Sequence, residues 1–140
     1  KKIVFTNGCF DLLHAGHAHY LNRCKELGDI LVVGINSDSS IRKIKGEKRP
    51  IVPLEFRAYL LSSLRAVDYV VPFEEETPLK LIKAIKPDFL VKGGDWKVEN
   101  IVGADFVQSY GGKVLTIPFK FDISTTKIVE EIKRRYCEGV

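Results

Sequence analysis

Five short apolar runs, rich in β-branched and aromatic residues, alternate with longer amphipathic stretches along the whole chain. Short runs that are apolar throughout are typical of parallel strands buried on both faces. The predicted strands are residues 3–6, 30–35, 69–72, 89–92 and 114–117. Because strict strand-helix alternation implies right-handed crossovers, we expect an α/β fold: a single Rossmann-like three-layer domain, residues 1–140, with a five-stranded parallel sheet.

The amphipathic stretches predict five helices between and after the strands. An N-cap threonine with proline at the first helical position marks the third, and an apolar stripe that includes Ile132 and Tyr136 should turn the last toward the core. The predicted helices are one ending at Gly28, one from Pro53 to Leu64, one beginning at Thr77-Pro78, one at about residues 99–110 and one beginning at Ser124.

The composition constrains the compartment more than the activity. No apolar run approaches the length of a membrane span, and the N-terminus lacks the pattern of a signal peptide, so we expect a cytoplasmic protein with no membrane partner. Cys9, Cys24 and Cys137 are odd in number and irregular in spacing, which favours free thiols. The chain contains no Met, even at position 1, which suggests a trimmed start.

A basic run at residues 42–49 holds five basic residues against one acid, and the net charge of the chain is +4. Such a run is usually a solvated loop, and it is also found in nucleic-acid patches. This run carries no aromatic residue for stacking on bases, which makes a nucleic-acid partner unlikely. We interpret it as a flexible flap over a polyphosphate.

His14-Ala15-Gly16-His17 follows the first predicted strand and the polar turn that begins at Thr6. Two imidazoles three residues apart lie on one side of a helix's first turn, where backbone N–H groups are free and the helix dipole is positive. An imidazole can donate a hydrogen bond and carry positive charge near neutral pH, and Gly16 lets a ligand approach the backbone. The motif predicts a phosphate site; a chance histidine pair is the alternative, and no metal site is expected because His19 points elsewhere.

The other unusual residues also follow predicted strands. Residues 36–38 and the basic run follow the second strand, residues 93–96 follow the fourth, and residues 122–127 follow the fifth. Parallel strands place their carboxyl ends on one edge of the sheet, where open α/β sheets bind ligands. We therefore expect these clusters to meet the histidine motif in one crevice.

Each cluster offers a group that could bind a nucleotide, beside a purely structural alternative. Lys92-Gly93-Gly94-Asp95-Trp96 combines a cation, exposed backbone and the only tryptophan, or is a glycine turn with Trp96 half-buried. The segment Ser124 to Lys127 opens a helix with three hydroxyls and an ammonium, although Ser124 alone would satisfy a simple N-cap. Arg57 could reach a phosphate, or pair at the surface with Glu55 or Asp68.

Two common nucleotide-binding patterns are missing. The chain has neither a Gly-x-x-x-x-Gly-Lys-Ser/Thr loop nor Gly-x-Gly-x-x-Gly after its first strand, and no serine or cysteine lies in a convincing triad. The remaining chemistry is direct phosphoryl or nucleotidyl transfer, in which positioning and charge stabilisation supply most of the catalysis.

With His-x-Gly-His at residues 14–17 and Ile-Ser-Thr-Thr at 123–126, the chain resembles the cytidylyltransferase-like nucleotidyltransferases. Within that superfamily it is most similar to the heptose 1-phosphate adenylyltransferase domain of ADP-heptose synthase. The similar segments are Thr6-Asn7-Gly8-Cys9-Phe10-Asp11, Lys45-Gly46-Glu47 with Arg49-Pro50, Val71-Pro72-Phe73-Glu74-Glu75 with Thr77-Pro78, and Leu90-Val91-Lys92-Gly93-Gly94-Asp95.

The resemblance implies transfer of AMP from ATP to D-glycero-β-D-manno-heptose 1-phosphate, giving ADP-heptose and pyrophosphate with Mg²⁺, on the route to lipopolysaccharide core. It implies that His14, His17 and Lys45 are catalytic, that Lys43 and Lys45 cover the phosphates, and that residues 124–126 hold the β- and γ-phosphates. Lys92 would contact the sugar phosphate or a nucleotide phosphate, and residues 93–96 would flank the base. The implied nucleotide-binding residues are Thr6, Asn7, Gly8, Phe10, Gly16, Lys43, Arg57, Lys92, Gly93, Asp95, Trp96, Ser124, Thr125 and Thr126.

Other members of the superfamily remain as alternatives, glycerol-3-phosphate cytidylyltransferase first among them. That branch has an arginine soon after the fifth strand, where this chain reads Phe119-Lys120-Phe121-Asp122. The heptose branch usually has glycine-cysteine before its Ser-Thr-Thr, where this chain has Asp122-Ile123. The kinase half of the bifunctional enzyme is absent, so a separate protein would supply the sugar phosphate. A nucleotide-binding regulatory module is the non-enzyme alternative, and relatives suggest a homodimer.

Overall fold

All five strands of the computed structural model, which describes residues 1–137, run parallel in one sheet. The strands are β1 (Ile3–Gly8), β2 (Ile30–Asn36), β3 (Tyr69–Phe73), β4 (Phe89–Gly93) and β5 (Lys113–Ile117), in the order β3-β2-β1-β4-β5. The predicted α/β class and five-stranded parallel sheet are confirmed. Among the strand ends, the largest difference between prediction and structure is at β1. The strand continues two residues beyond its predicted end, because Asn7 and Gly8 pair with Gly34 and Ile35 of β2.

The strand order reverses in the middle of the sheet. The chain starts at the central β1, moves outward through β2 to β3, and then crosses to β4 on the other side of β1. Loops leaving β1 and β4 diverge at such a switch point and open a crevice beyond the carboxyl ends of the strands. The two edges are β3, which contains Pro72, and β5.

Six α-helices and one short 3₁₀ helix lie in the described part of the chain. They are α1 (Ala15–Lys25), α2 (Asp38–Lys45), α3 (Leu54–Ser62), α4 (Leu79–Ile85), the 3₁₀ helix (Val98–Asn100), α5 (Ala104–Ser109) and α6 (Thr125–Tyr136). Over residues 1–137, no helix combines the length and apolar character needed to cross a bilayer.

Successive residues of β1 face opposite sides of the sheet and belong to separate apolar clusters. Val4 packs with Leu21 of α1 on one side, and Phe5 packs with Ile82 of α4 and Leu90 on the other. All five side chains are buried. Because a strand between two helical layers needs apolar side chains on both faces, this arrangement explains the continuous apolar runs of the sequence.

The basic run does not begin as a loop. Its first four residues form the last turn of α2, which Ser37 caps by accepting the N–H of Ser40 at 3.2 Å. Basic side chains suit the negative end of a helix dipole, and Ser40 and Ile41 bury the opposite face. The helix ends where Gly46 adopts a φ of 96°, so only the second half of the run remains as a flap.

Three other helix predictions are corrected. Helix α4 begins one residue later than expected, with Pro78 at the cap and no side-chain cap bond. Gly103, with a φ of 88°, separates the expected fourth helix into the 3₁₀ turn and α5. No residue of α6 is buried, and Tyr136 is 78% exposed, so the described part of the chain does not cover its apolar stripe.

Arg57 is buried in α3, and its guanidinium pairs with neither Glu55 nor Asp68. Its guanidinium donates to the carbonyl oxygens of Val52 at 2.8 Å, Cys9 at 2.8 Å and Asn36 at 2.9 Å, and pairs with the Asp38 carboxylate at 2.6 Å. The residue is only 1% exposed. An arginine satisfies so many loop carbonyls because its planar fork carries five donors. Arg57 therefore joins the loops after β1 and β2 to α3.

Asp11 makes a second connection between the loops. Its carboxylate oxygens accept the N–H groups of Ile51 at 2.8 Å and Val52 at 2.9 Å. Its carbonyl oxygen accepts the hydroxyl of Thr125, the first residue of α6. The loop that follows β1 is thereby attached both to the end of the basic flap and to the start of the last helix.

We predict that Arg57→Ala lowers the free energy of unfolding by about 3 to 5 kcal/mol, because it leaves buried carbonyl oxygens without donors and Asp38 without its partner. Urea denaturation measures the change. Arg65→Ala is the matched control, since Arg65 is exposed, and should shift stability by less than about 0.5 kcal/mol. Equal effects of the two substitutions would contradict the role of Arg57.

Candidate active site

The two histidines form the N-terminal cap of α1. His14 is the N-cap residue, and its Nδ1 accepts the N–H of Gly16 at 3.1 Å. In return, Nδ1 of His17 accepts the N–H of His14 at 3.2 Å. The rings stack with their centroids 3.8 Å apart. This is a capping box in which imidazoles replace the usual serine and glutamate.

The cap fixes the tautomer of both rings. A neutral imidazole that accepts at Nδ1 carries its proton on Nε2. Each ring therefore has one free donor, Nε2–H, for a ligand oxygen. The backbone bonds hold both donors in fixed positions before a ligand arrives, which is the property that electrostatic catalysis requires.

Both imidazoles are neutral at neutral pH, which differs from the expectation that they carry charge. Burial lowers the pKa of His17 to about 4, and His14 beside it lowers the pKa further. Burial also lowers the pKa of His14. A bound anion would favour the charged form and oppose these shifts.

A cavity of about 520 Å³ opens beside His17 beyond the carboxyl ends of the strands. We call it the main cavity. The cations Lys45, Arg49 and Lys92 line it, together with the neutral His17 and the loop from Asn7 to Asp11. Further lining residues come from the segments after β3 and β4 and from Thr125 at the start of α6. The predicted convergence of distant segments on one crevice is confirmed.

A second cavity of about 370 Å³ lies at the start of α6. We call it the helix-end cavity. Phe119, the segment 121–127 and His14 line it, together with His17, Lys45 and Arg49, and it shares the last three and Thr125 with the main cavity. The Asp122 carboxylate in this lining is paired with the Lys127 ammonium. Ser124 caps α6 by accepting the N–H of Lys127 at 3.1 Å. The helix-end cavity therefore combines a helix N-terminus, hydroxyls and cations, a set that suits anionic oxygens.

The loop after β1 is held in a demanding conformation. Phe10 and Leu12 have φ values of 51° and 54°, in the left-handed region that residues with a side chain rarely adopt. The centroid of the Phe10 ring lies 5.2 Å from that of the His17 ring. A Cβ on Gly8 would come within 2.9 Å of the Phe10 ring. Gly8 is therefore required for the ring to reach its place beside His17.

Lys92 and Trp96 lie together on the β4 side of the main cavity. The Lys92 ammonium is 5.2 Å from the centre of the indole ring. Burial lowers the pKa of Lys92, and the charge of Lys45 adds to the decrease. Cys9 lines the same cavity, and because burial raises the pKa of its thiol, the sulfur is protonated at neutral pH.

Several predicted site residues lie outside both cavities. Thr6 is fully buried, with its hydroxyl 2.7 Å from that of Tyr20, so its side chain reaches neither cavity. Lys43 and Asp95 are exposed but line neither cavity. Lys43 lies on α2, two residues before Lys45, and therefore points away from it.

Other predicted residues lie where expected. Asn7, Gly8, Phe10, Lys92 and Trp96 line the main cavity, and Ser124 and Thr126 line the helix-end cavity. Gly93 lies under the Phe119 ring, which a Cβ would approach within 2.9 Å. A Cβ on Gly16 would come within 3.0 Å of the His14 ring.

Sequence reasoning missed Arg49, Asn36, Glu76 and Asn100, which all line the main cavity. Arg49 belongs to the basic run, so the run supplied a signal, but not which of its members faces inward. Asn36 is the last residue of β2, and the sequence singles it out only as part of the polar cluster at residues 36–38. Glu76 and Asn100 carried no signal, because exposed polar residues in loops are common.

Lowering the pH should destabilise the ligand-free protein through His17. Between pH 6.5 and about 4 the unfolded chain binds a proton at His17 that the folded chain does not, so the free energy of unfolding falls with decreasing pH. We predict that His17→Gln, whose amide oxygen can still accept the His14 N–H, reduces this proton uptake by about one proton. Urea denaturation between pH 4 and 7 measures this proton uptake as the slope of the free energy of unfolding against pH. Equal slopes for the wild-type protein and His17→Gln would contradict the prediction.

Comparison with known proteins identifies the family of the chain. The cytidylyltransferase-like family matches residues 5–131. The bifunctional protein HldE of Pelobacter propionicus is 56% identical over 97% of this chain, and that of Helicobacter pylori is 55% identical over 97%. These matches cover 28% and 29% of the two relatives, so the chain spans less than a third of their length.

Solved structures show the same relationship. The lipopolysaccharide core biosynthesis protein from Thermoplasma volcanium is 34% identical, with a TM-score of 0.69 over 86% of this chain and 98% of that one. Pantothenate synthetase from Thermus thermophilus shares the fold at 18% identity, with a TM-score of 0.57 over 84% of this chain and 56% of that one. The chain belongs to the cytidylyltransferase-like family and is a nucleotidyltransferase.

Proposed function

We propose that the protein transfers AMP from ATP to D-glycero-β-D-manno-heptose 1-phosphate, forming ADP-heptose and pyrophosphate. The observation that carries the reaction type is the histidine cap, whose two fixed Nε2–H donors belong to the rings that line the two cavities. The acceptor rests on the names of the relatives: HldE proteins match almost the whole chain, and the solved relative is named for lipopolysaccharide core biosynthesis.

The proposed step is a direct displacement at the α-phosphorus. A phosphate oxygen of the acceptor forms a bond to the α-phosphorus while the bond to the oxygen that bridges to the β-phosphate breaks, and that oxygen leaves with the electron pair as part of pyrophosphate. Negative charge grows on the departing oxygens. The Nε2–H groups of His14 and His17, with Lys45 and Arg49, which all line the helix-end cavity, would stabilise it.

The residues fit an Mg²⁺ ion that arrives with ATP. Among residues 1–137, no three His, Cys, Asp or Glu side chains converge into a metal site, and both carboxylate oxygens of Asp11 already accept backbone N–H groups. Mg²⁺ is commonly held by phosphate oxygens and water with few protein ligands. When bound, it would neutralise phosphate charge, and Lys45 and Arg49 would orient the same phosphates.

Pyrophosphate release tests the proposal directly. ATP and CTP are each paired with heptose 1-phosphate, glycerol 3-phosphate, phosphoethanolamine and FMN precursors. We expect release with ATP and heptose 1-phosphate, and much less with any other pair. Preference for CTP would contradict adenylyl transfer. No release with any pair would favour a nucleotide-binding module without catalysis.

His14→Asn should separate catalysis from folding. The asparagine side chain still accepts the N–H of Gly16, because asparagine is a favourable N-cap residue, but it removes the imidazole donor. We predict that kcat falls by about 10² to 10³-fold, as for loss of one donor to a developing oxyanion, while the free energy of unfolding changes by less than about 1 kcal/mol. Steady-state kinetics and urea denaturation measure the two effects. Retained kcat would contradict the assignment.

A further inference from the structure

Three polar residues of the main cavity have a chemistry that phosphate binding does not use. Glu76 and Thr77, which follow β3, and Asn100, at the end of the 3₁₀ helix, line the cavity. Within residues 1–137 their side chains make no hydrogen bond or ion pair. Nearby Glu74, by contrast, accepts from the Ser39 hydroxyl at 3.1 Å. The cavity therefore presents a carboxylate, a hydroxyl and an amide that are all free to bind a ligand.

The charge of Glu76 distinguishes it from the cations of the cavity. Lys45, Arg49 and Lys92 line the cavity, and within residues 1–137 the acidic side chains that do so are Asp11 and Glu76. Asp11 is 4% exposed and already accepts two N–H groups, so Glu76 is the carboxylate that a ligand meets. A carboxylate repels phosphate and accepts hydrogen bonds from hydroxyl groups. The part of a ligand beside Glu76 should therefore be uncharged and rich in hydroxyls.

The in-line geometry of the displacement indicates which substrate lies beside Glu76. In a displacement at phosphorus, the attacking and leaving oxygens lie roughly in line on opposite sides of the reacting phosphorus. The helix-end cavity, with His14 and the start of α6, suits the leaving pyrophosphate. His17, which lines both cavities, marks the junction. The acceptor then approaches through the main cavity, with its phosphate toward Lys45 and its remaining atoms toward Glu76.

The base of the nucleotide has a different surface available. Phe119 is 68% exposed and lies against Gly93 and Gly94, where a flat ring can reach it. Phe119 follows the edge strand β5 and lines the helix-end cavity, whereas Glu76 follows β3 at the other edge of the sheet and lines the main cavity. The two substrates can therefore be held at separate places.

We propose that Glu76, Thr77 and Asn100 bind hydroxyl groups of the acceptor sugar and make the site selective for a polyhydroxylated phosphate, with Glu76 as the main specificity-determining residue. The inference rests on the proposed function, since it takes the acceptor to be a sugar 1-phosphate. It adds the residues that distinguish such an acceptor from a smaller phosphate.

Glu76→Gln in the full chain tests the role of the carboxylate. Glu75→Gln is the matched control, because Glu75 is the neighbouring exposed carboxylate and does not line the main cavity. We expect Glu76→Gln to raise KM for heptose 1-phosphate by about 10 to 100-fold, as for loss of a hydrogen bond to a charged group, and to leave KM for ATP within about twofold. Glu75→Gln should leave both values unchanged.

The outcomes separate the inference from the proposed function. A wild-type protein that uses no sugar 1-phosphate overturns both. A wild-type protein that uses heptose 1-phosphate upholds the proposed function, and three results with Glu76→Gln then overturn the inference alone. These are kinetics equal to those of Glu75→Gln, a lower KM for the sugar phosphate, and a higher KM for ATP, which would assign Glu76 to the ribose.

Discussion

The guanidinium of Arg57 is the interaction on which the site depends most. The carbonyl oxygens of Cys9 in the loop after β1, of Asn36 at the end of β2 and of Val52 before α3 all accept its N–H groups. A buried carbonyl without a donor costs as much as a lost hydrogen bond, and one planar cation provides all the donors here. Because Asp38 offsets its charge, Arg57 can remain buried. Arg57 thereby joins the loop after β1 to the end of β2 and to the segment before α3.

The histidine cap joins folding and chemistry in the same two side chains. A serine and a glutamate would cap α1 equally well, but they would leave no N–H donor facing the cavities. The imidazoles use one nitrogen for the helix and keep the other for a ligand. Their neutrality follows from burial, so in the ligand-free protein the site attracts phosphate mainly through Lys45, Arg49 and Lys92.

The sheet, its parallel strands and the edge that holds the site were predictable because each depends on local patterns. Continuous apolar runs report burial on both faces, and the carboxyl ends of parallel strands must meet. The environment of Arg57 was not predictable, since an arginine on a helix has the same local sequence whether it faces solvent or loop carbonyls. Helix α2 was not predicted, because its basic residues were interpreted as part of a solvated flap although Ser37 caps the helix. Glu76 and Asn100 belong to the cavity only through tertiary contacts.

The proline in β3 has a consequence for the chain before it is fully folded. Parallel sheets form slowly because their contacts are distant in sequence, so an unpaired edge strand is exposed for a time to other chains. Pro72 removes one N–H from the five-residue edge strand β3. An incoming strand would find an incomplete row of donors on a short edge, which disfavours growth of the sheet beyond five strands and so opposes aggregation at this edge.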